Sequence, residues 1–261
     1  MRFIGNKELI TADILELLEE KNLTHRQLTL FDAFCGTGAV SVATQGAFNI
    51  IANDMLRWST IYTKGRVCAN ICNFGTLGFD PFEFLNSSSI ISKSFFYNNY
   101  SPGASKRMYF TSENAGRIDY FRNQIEDWKE THLINENEYS YLLACLIESV
   151  SVVSNTAGVY GAFLKKWDSR ALKPIQFKKV VTSDSIPNEV DFLNSKIEDI
   201  ISEVECDILY LDPPYTQNQY GTQYHLLETL VLNDNPSISA ITGSRSTTPM
   251  RSDWSKDYKS H

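Results

Sequence analysis

Two segments of the sequence carry residue types whose spacing suits a chemical site. The first is Asp212-Pro213-Pro214-Tyr215, here called the double-proline turn, which directly follows the apolar run 208–211. Each proline restricts its own backbone and excludes the helical conformation for the residue before it. We therefore predict a rigid, extended turn that holds a carboxylate, a carbonyl group and an aromatic ring together. The alternative is a simple strand-ending turn with a surface tyrosine.

The second segment is the run 31–38, Phe-Asp-Ala-Phe-Cys-Gly-Thr-Gly, whose last four residues we call the glycine loop. Glycines after a strand let the backbone approach a ligand closely. The loop lacks the lysine of a phosphate-binding loop, and Ser41 stands where a dinucleotide site has its third glycine. Asp54 follows a second apolar run, where an acidic side chain typically binds ribose hydroxyls. The glycine loop and Asp54 together fit an adenosine-containing ligand without an essential phosphate.

The apolar pattern predicts the elements that hold these segments. We predict strands at 28–34, 48–52 and 207–211, and helices at 8–18, 39–45, 113–128, 138–153, 190–201 and 221–232, with mostly loop over 234–261. The order strand, helix, strand indicates a parallel sheet. Ligands bind beyond the carboxyl ends of such strands, so both segments are expected at one edge of the sheet.

Composition excludes several classes of protein. The chain has 261 residues, 43% hydrophobic and 21% charged, which is typical of a globular protein. Its five cysteines show no paired spacing, which argues against a disulfide framework or a zinc site. The apolar stretch 139–153 is too short and too polar for a membrane span and predicts a buried helix. Without a visible export signal, we expect a cytoplasmic protein with no membrane partner.

The net charge of -7 conceals a local basic patch. Residues 161–179 carry six basic side chains and one acid, Asp168. Such a patch can meet nucleic-acid phosphates, whose contacts dominate salt-dependent binding. A solvated basic face is the alternative interpretation.

With these segments in view, the sequence resembles the DNA adenine N6-methyltransferases of the α motif order. Residues 3–7, Phe-Ile-Gly-Asn-Lys, resemble the N-terminal cofactor motif of this family. The glycine loop resembles its S-adenosylmethionine loop, and residues 211–215 resemble its catalytic motif. The continuation 218–221 with 224–228 is similar to a branch found among restriction–modification enzymes.

The resemblance implies a Rossmann-like α/β methyltransferase core over residues 1–72 and 189–261. A mostly helical region for target recognition would be inserted between them, over 73–188. It also implies transfer of a methyl group from S-adenosylmethionine to N6 of a flipped adenine in double-stranded DNA, at a short specific site. The alternatives are methylation of RNA or of a protein amide, and an inactive fragment that binds DNA or cofactor. An NAD oxidoreductase ranks last.

The resemblance assigns roles to individual residues. Asp212 and the Pro213 carbonyl would accept hydrogen bonds from the target amine, within a turn completed by Pro214, and Tyr215 would stack on the flipped base. The expected cofactor-binding residues are Phe3, Lys7, Asp32, Phe34, Gly36, Gly38, Asp54 and Ile197. Residues 155–167 are expected to face DNA, with phosphate contacts from Lys165, Lys166, Arg170 and Lys173. No metal is expected.

The sequence departs from the family pattern at two places. Lys196 stands where family members often have an acidic residue near the cofactor adenine. The stretch after Tyr215 lacks the Ser-Tyr-Asn-like element of a later strand, which predicts a fragment, a trimmed chain or half of a split enzyme. The expected partners are duplex DNA and a second chain that supplies this part. A restriction endonuclease of the same system is expected to act without a stable complex.

Overall fold

A four-stranded parallel sheet forms the framework of the computed structural model, which describes residues 3–24, 27–214 and 219–251. The strands are β1 (Thr29–Asp32), β2 (Asn49–Asn53), β3 (Val190–Leu193) and β4 (Ile208–Tyr210), in the order β3-β2-β1-β4. Asp32 pairs with Ala52 on one side and with Tyr210 on the other, so the carboxyl ends of β1, β2 and β4 meet. The sheet confirms the predicted Rossmann-like α/β class.

Ten α-helices surround the sheet within the described ranges. They are α1 (Thr11–Glu20), α2 (Ala39–Thr44), α3 (Arg57–Val67), α4 (Pro81–Ser87), α5 (Phe95–Tyr100), α6 (Ser112–Glu130), α7 (Glu136–Val153), α8 (Ile197–Ile200), α9 (Tyr220–Gln223) and α10 (His225–Leu232). Alternate strand residues point to opposite faces. Leu30 and Ile50 therefore pack with Leu18 of α1, whereas Phe31 packs with Ile197 of α8. No helix in the described part of the chain is long and apolar enough to cross a membrane.

The largest hydrophobic core lies among α3, α6, α7 and α10. It includes Trp58, Phe121, Leu143 and Leu230, all at most 1% exposed. Gly65 permits the close approach of α3 and α7, since a Cβ at this position would lie 2.4 Å from the Ser140 carbonyl. The predicted buried helix at 138–153 is confirmed as α7. Side chains from 73–188 thus share one core with the flanking segments, and the division into core and insertion stays a prediction.

Several predicted element boundaries were wrong. The apolar residues of 190–201 match a helical pattern, but the first four form β3, because pairing with β2 outweighs that local pattern. The predicted helix 221–232 is broken at Tyr224, whose φ of -119° leaves the helical region. The sequence did not predict α3, α4 or α5. From 234 to 251 the backbone is loop apart from one bridge, Ile238 with Arg245, and one turn of 3₁₀ helix.

Candidate functional site

The glycine loop connects β1 to α2 through two left-handed residues. Gly36 has φ 53° and Gly38 has φ 71°, conformations that L side chains rarely adopt. A Cβ at Gly38 would lie 2.7 Å from the Thr63 side chain of α3. A Cβ at Gly36 would lie 3.0 Å from the Phe3 ring. Both positions therefore require glycine, one for packing on α3 and one for the approach of the N-terminal segment.

Asp54 ties the glycine loop to the start of α3. Its Oδ2 accepts hydrogen bonds from Gly36 N at 3.1 Å and from Ser59 Oγ at 2.8 Å. Its Oδ1 accepts one from Leu56 N at 2.9 Å. Burial raises the pKa of Asp54, against the effect of these donors. The structure places this carboxyl group beside the loop, and ribose binding by it stays a prediction.

Asn53, at the end of β2, joins three neighbouring loops. Its Nδ2 donates to the carbonyl groups of Ala33 and Ser195, both at 3.1 Å. Its Oδ1 accepts from Ser195 N at 3.1 Å. The segment after β3, which carries Lys196 and Ile197, is thereby fixed next to the glycine loop. The sequence analysis missed this role, although a polar residue at the end of a buried strand is a signal for it.

An aromatic cluster holds the N-terminal segment against the loop. The Phe3 ring centre lies 5.6 Å from that of Trp58 and 5.0 Å from that of Tyr224. Tyr224 Oη accepts a hydrogen bond from Ile4 N at 2.8 Å. Phe3 and Ile4 are thus bound to α3 and to Tyr224, the residue between α9 and α10.

One cleft joins the two segments singled out in the sequence. Its lining includes Phe3, Phe34, Gly36, Asn53, Asp54, Trp58, Ser195, Lys196, Ile197, Asp212, Pro213, Pro214 and Tyr220. An adjoining cavity shares Phe3, Phe34, Gly36 and Asp212 and adds Lys7 and Asp32. Every predicted cofactor or catalytic residue except Gly38 and Tyr215 therefore lines the cleft or the adjoining cavity. Gly38 shapes the loop instead, and Tyr215 lies outside the described residues.

An ion pair links the N-terminal motif to the double-proline turn. Lys7 Nζ lies 2.8 Å from Asp212 Oδ2, and both side chains are about one quarter exposed or less. The two residues are 205 positions apart in sequence, and both are predicted site residues. The contact orients the Asp212 carboxylate at the mouth of the cleft.

Asp32 is a second carboxyl group of the site and is 1% exposed. Its pKa is raised to about 7, mainly by burial. A 2.7 Å hydrogen bond from Ser41 Oγ opposes the rise in pKa, and repulsion by Asp54 and Asp212 adds to it. Three neighbouring acids that repel one another favour a cationic ligand. The site therefore suits a ligand that carries positive charge near Asp32 and Asp212.

Replacing Asp32 with asparagine is expected to stabilise the protein at pH 8. The unfolded chain releases this proton near pH ~3.9, and folded Asp32 holds it to about pH 7, so its contribution to stability falls as pH rises between these values. The neutral amide removes that loss, on the order of a few kcal/mol. Chemical unfolding of both proteins from pH 4 to 8 measures it. The exposed control Asp184→Asn should show the wild-type pH dependence of the free energy of unfolding. If Asp32→Asn shows that same dependence, the account is contradicted.

The predicted phosphate-contacting residues differ in their surroundings. Lys165, Lys166 and Lys173 are exposed. Arg170 instead contacts Asp168, at 3.1 Å from Nε to Oδ1 and 3.3 Å from Nη2 to Oδ2, which offsets part of its charge. The loop that carries them is organised by buried Asn155, whose Nδ2 donates to the Leu164 carbonyl at 3.0 Å.

Two further charged residues support the site and were not predicted. Arg66 of α3 is 4% exposed and donates to the Thr37 carbonyl of the glycine loop at 2.7 Å. It also pairs with Glu8 at 2.8 Å. Glu228 of α10 is 5% exposed and accepts hydrogen bonds from the first amides of α3. Arg66 lies in no motif that the sequence analysis singled out. Glu228 ends the segment 224–228, but the resemblance assigned no role to it.

Comparison with known proteins gives consistent matches. Residues 3–257 match the model of the D12 class N6 adenine-specific DNA methyltransferases. The chain is 42% identical over 254 residues to "Type II methyltransferase M.FokI" of Planomicrobium okeanokoites, covering 94% of this chain and 39% of that protein. It is 38% identical over 258 residues to "Modification methylase LlaI" of Lactococcus lactis subsp. lactis, covering 94% and 40%.

A shorter relative is covered more completely. The chain is 36% identical over 252 residues to "Type II methyltransferase M.NlaIII" of Neisseria lactamica, covering 94% of this chain and 73% of that protein. By contrast, the chain spans about two fifths of the length of M.FokI and LlaI. No solved structure matches the chain.

Proposed function

The chain belongs to the D12 class N6 adenine-specific DNA methyltransferases, and from this premise we propose that it transfers a methyl group from S-adenosylmethionine to adenine N6 in duplex DNA. The observation that carries the proposal is the single cleft in which the glycine loop meets Asp212, Pro213 and Pro214. A cofactor bound at the loop and a base bound at the turn would lie in adjacent parts of one space.

The residues of the cleft fit S-adenosylmethionine. Gly36 lines the cleft, and its lack of a side chain lets the Phe3 ring form the neighbouring wall. Phe34 and Ile197 supply apolar walls for the adenine, and Asp54 lies where the ribose hydroxyls need an acceptor. The acids Asp32 and Asp212 line the adjoining cavity, on the side suited to the cationic part of the molecule. When bound, the cofactor supplies an electrophilic methyl group on a positively charged sulfur.

The double-proline turn supplies the groups that activate the target amine. Adenine N6 is a poor nucleophile because its lone pair is delocalised into the ring. The Asp212 carboxylate and the Pro213 carbonyl would accept hydrogen bonds from its two protons and favour a pyramidal nitrogen. The proton lost from N6 becomes acidic as the new bond forms, so Asp212 need not be a strong base. Orientation of the two reactants by the rigid turn supplies most of the rate enhancement.

The target adenine must leave the helix before these groups can reach it. A base inside a duplex is inaccessible, and enzymes of this kind flip it into a pocket. Phe3 and Tyr220 line the cleft beside the double-proline turn and offer aromatic surface to a flipped ring. Tyr215 would add a stacking surface, and that role rests on the family motif alone.

The names of the relatives support a modification activity at a specific site. One is called a modification methylase, and two are called Type II methyltransferases. We place this chain in the same class, acting in the cytoplasm beside a restriction endonuclease of its own system. The test compares acceptors: labelled methyl groups from S-adenosylmethionine are expected in duplex DNA. Labelling of RNA or protein instead would contradict the proposal, as would cofactor binding without any transfer.

Replacing Lys165 and Lys166 together with alanine is expected to weaken the salt dependence of DNA binding. Each phosphate contact changes the slope of log affinity against log salt by about 0.9, so the slope should fall by about two. Equilibrium binding to a duplex at several salt concentrations measures it. The control replaces the exposed Lys21 and Lys93, which lie outside the predicted DNA-facing loop. An unchanged slope in the first variant would place the phosphate contacts elsewhere.

A further inference from the structure

Helix α10 is bonded to the predicted DNA-facing loop, residues 155–167, through its first residue. His225 is fully buried, and its Nε2 lies 2.8 Å from the Tyr160 carbonyl. A carbonyl oxygen only accepts, so Nε2 carries the proton. Tyr160 N donates to the Gln223 carbonyl at 2.7 Å. Both backbone groups of Tyr160 are thus bonded to the segment that forms α9 and α10.

The second ring nitrogen of His225, Nδ1, is buried and makes no hydrogen bond of its own in the described part of the chain. Burial lowers the pKa of His225 to about 4, so the ring is neutral at physiological pH and Nε2–H is its one donor. The bond from Nε2 to the Tyr160 carbonyl is therefore the hydrogen bond that the His225 side chain makes in the described part of the chain.

One helical turn later, α10 is bonded to α3. Glu228 Oε1 accepts from Arg57 N at 3.1 Å, and Oε2 accepts from Trp58 N at 2.9 Å. The residue that precedes α3, Leu56, provides no side-chain cap. Glu228 therefore caps α3 from another helix, where its negative charge also meets the positive end of the helix dipole.

The first turn of α3 leads directly to the glycine loop. Ser59 Oγ lies 2.5 Å from the Gly36 carbonyl and 2.8 Å from Asp54 Oδ2. Asp54 in turn accepts from Gly36 N. A displacement of the start of α3 therefore changes the position of the loop that the cofactor would occupy.

We propose that α10 couples DNA binding to cofactor binding, with His225 and Glu228 as its two positioning residues. His225 shares the Tyr160 carbonyl with the Tyr109 hydroxyl, which donates to it at 2.9 Å, and is the donor that links the DNA-facing loop to α10. Glu228 fixes α3 and with it the glycine loop. Both contacts are buried and lie on one rigid turn, so a shift at one end is passed to the other. This inference rests on the proposed function, because it takes the two loops as the DNA and cofactor sites.

The test measures the dissociation constant of S-adenosylhomocysteine with and without saturating unmethylated duplex DNA. The ratio of the dissociation constant without DNA to that with DNA is the coupling factor. Coupling factors between two sites commonly lie at about 5- to 150-fold. We expect such a factor in the wild type. His225→Phe should reduce it toward one and leave affinity for the cofactor alone within about twofold. His225→Gln keeps a donor for the Tyr160 carbonyl and should restore the factor, which a purely structural defect would not allow.

A double-mutant cycle tests whether both residues act along one route. Glu228→Gln should also reduce the coupling factor, and the double variant should lose no more coupling than either single variant. Leu230→Val alters the packing of the same helix without either contact and should keep the wild-type factor. A wild-type factor of one would overturn the inference, as would additive losses in the double variant. Failure of the wild type to bind S-adenosylhomocysteine or DNA at all would instead contradict the proposed function.

Discussion

Replacing Asp212 with asparagine is expected to reduce methyl transfer on the order of 1000-fold, within the range seen for groups that manage a proton in the transition state. The amide keeps the shape of the side chain but has no negative charge. The variant therefore accepts a weaker hydrogen bond from the target amine and loses the ion pair with Lys7, which lies at 2.8 Å. Cofactor affinity should stay within about tenfold, since the predicted cofactor contacts from Phe34, Asp54 and Ile197 are unchanged. Single-turnover transfer of labelled methyl groups and calorimetric binding of S-adenosylmethionine measure the two effects.

The control for this variant is Asp191→Asn, an exposed carboxylate on β3 that is distant in sequence from the turn. It should retain wild-type transfer. Asp212→Ala should be at least as inactive as Asp212→Asn. If transfer and cofactor binding disappear together in both Asp212 variants, the carboxylate holds the fold of the site instead of acting on the amine.

Replacing Gly38 with alanine is expected to reduce the free energy of unfolding by about 2–5 kcal/mol. The left-handed backbone costs an L residue about 1–2 kcal/mol, and crowding in a packed interior costs a further ~1–3 kcal/mol. The crowding arises because the new Cβ would lie 2.7 Å from Thr63. Denaturant unfolding of wild type and variant gives the difference, provided that the slope with denaturant is unchanged.

Gly78 provides a matched control for the backbone cost alone. Its φ is 78°, close to the 71° of Gly38, but a Cβ there would meet nothing within 4 Å. Gly78→Ala should therefore cost only about 1–2 kcal/mol. Adding Thr63→Ala to Gly38→Ala should recover part of the crowding cost. Equal losses at the two glycines would show that packing on α3 does not fix the loop.

Local patterns were sufficient for the elements around the glycine loop. The apolar runs that became β1 and β2 are short, largely buried and bounded by turn residues, so their positions were predictable from the sequence. The run that became β4 was also predicted, although that strand is only half-buried and its Leu209 is exposed. The buried helix α7 was predicted for the same reason. Motif order was sufficient for the family, which the match over residues 3–257 confirms.

The parts that were not predicted depend on contacts between distant residues. Val190–Leu193 forms a strand because β2 lies beside it, which a helical pattern in 190–201 could not indicate. The ion pair of Lys7 with Asp212 joins two residues that are 205 positions apart in sequence. The cap that Glu228 provides for α3 depends on the packing of α10 against α3, and the sequences of these helices did not predict that packing.

The most direct test of the proposed activity identifies the methylated product. The chain is incubated with labelled S-adenosylmethionine and unmethylated duplex DNA, and the DNA is then digested to nucleosides and separated. The account predicts that the label appears in N6-methyl-2′-deoxyadenosine and that Asp212→Asn reduces the rate of its appearance on the order of 1000-fold. Label in a methylated cytosine, or no label in DNA while the cofactor is bound, would contradict the account.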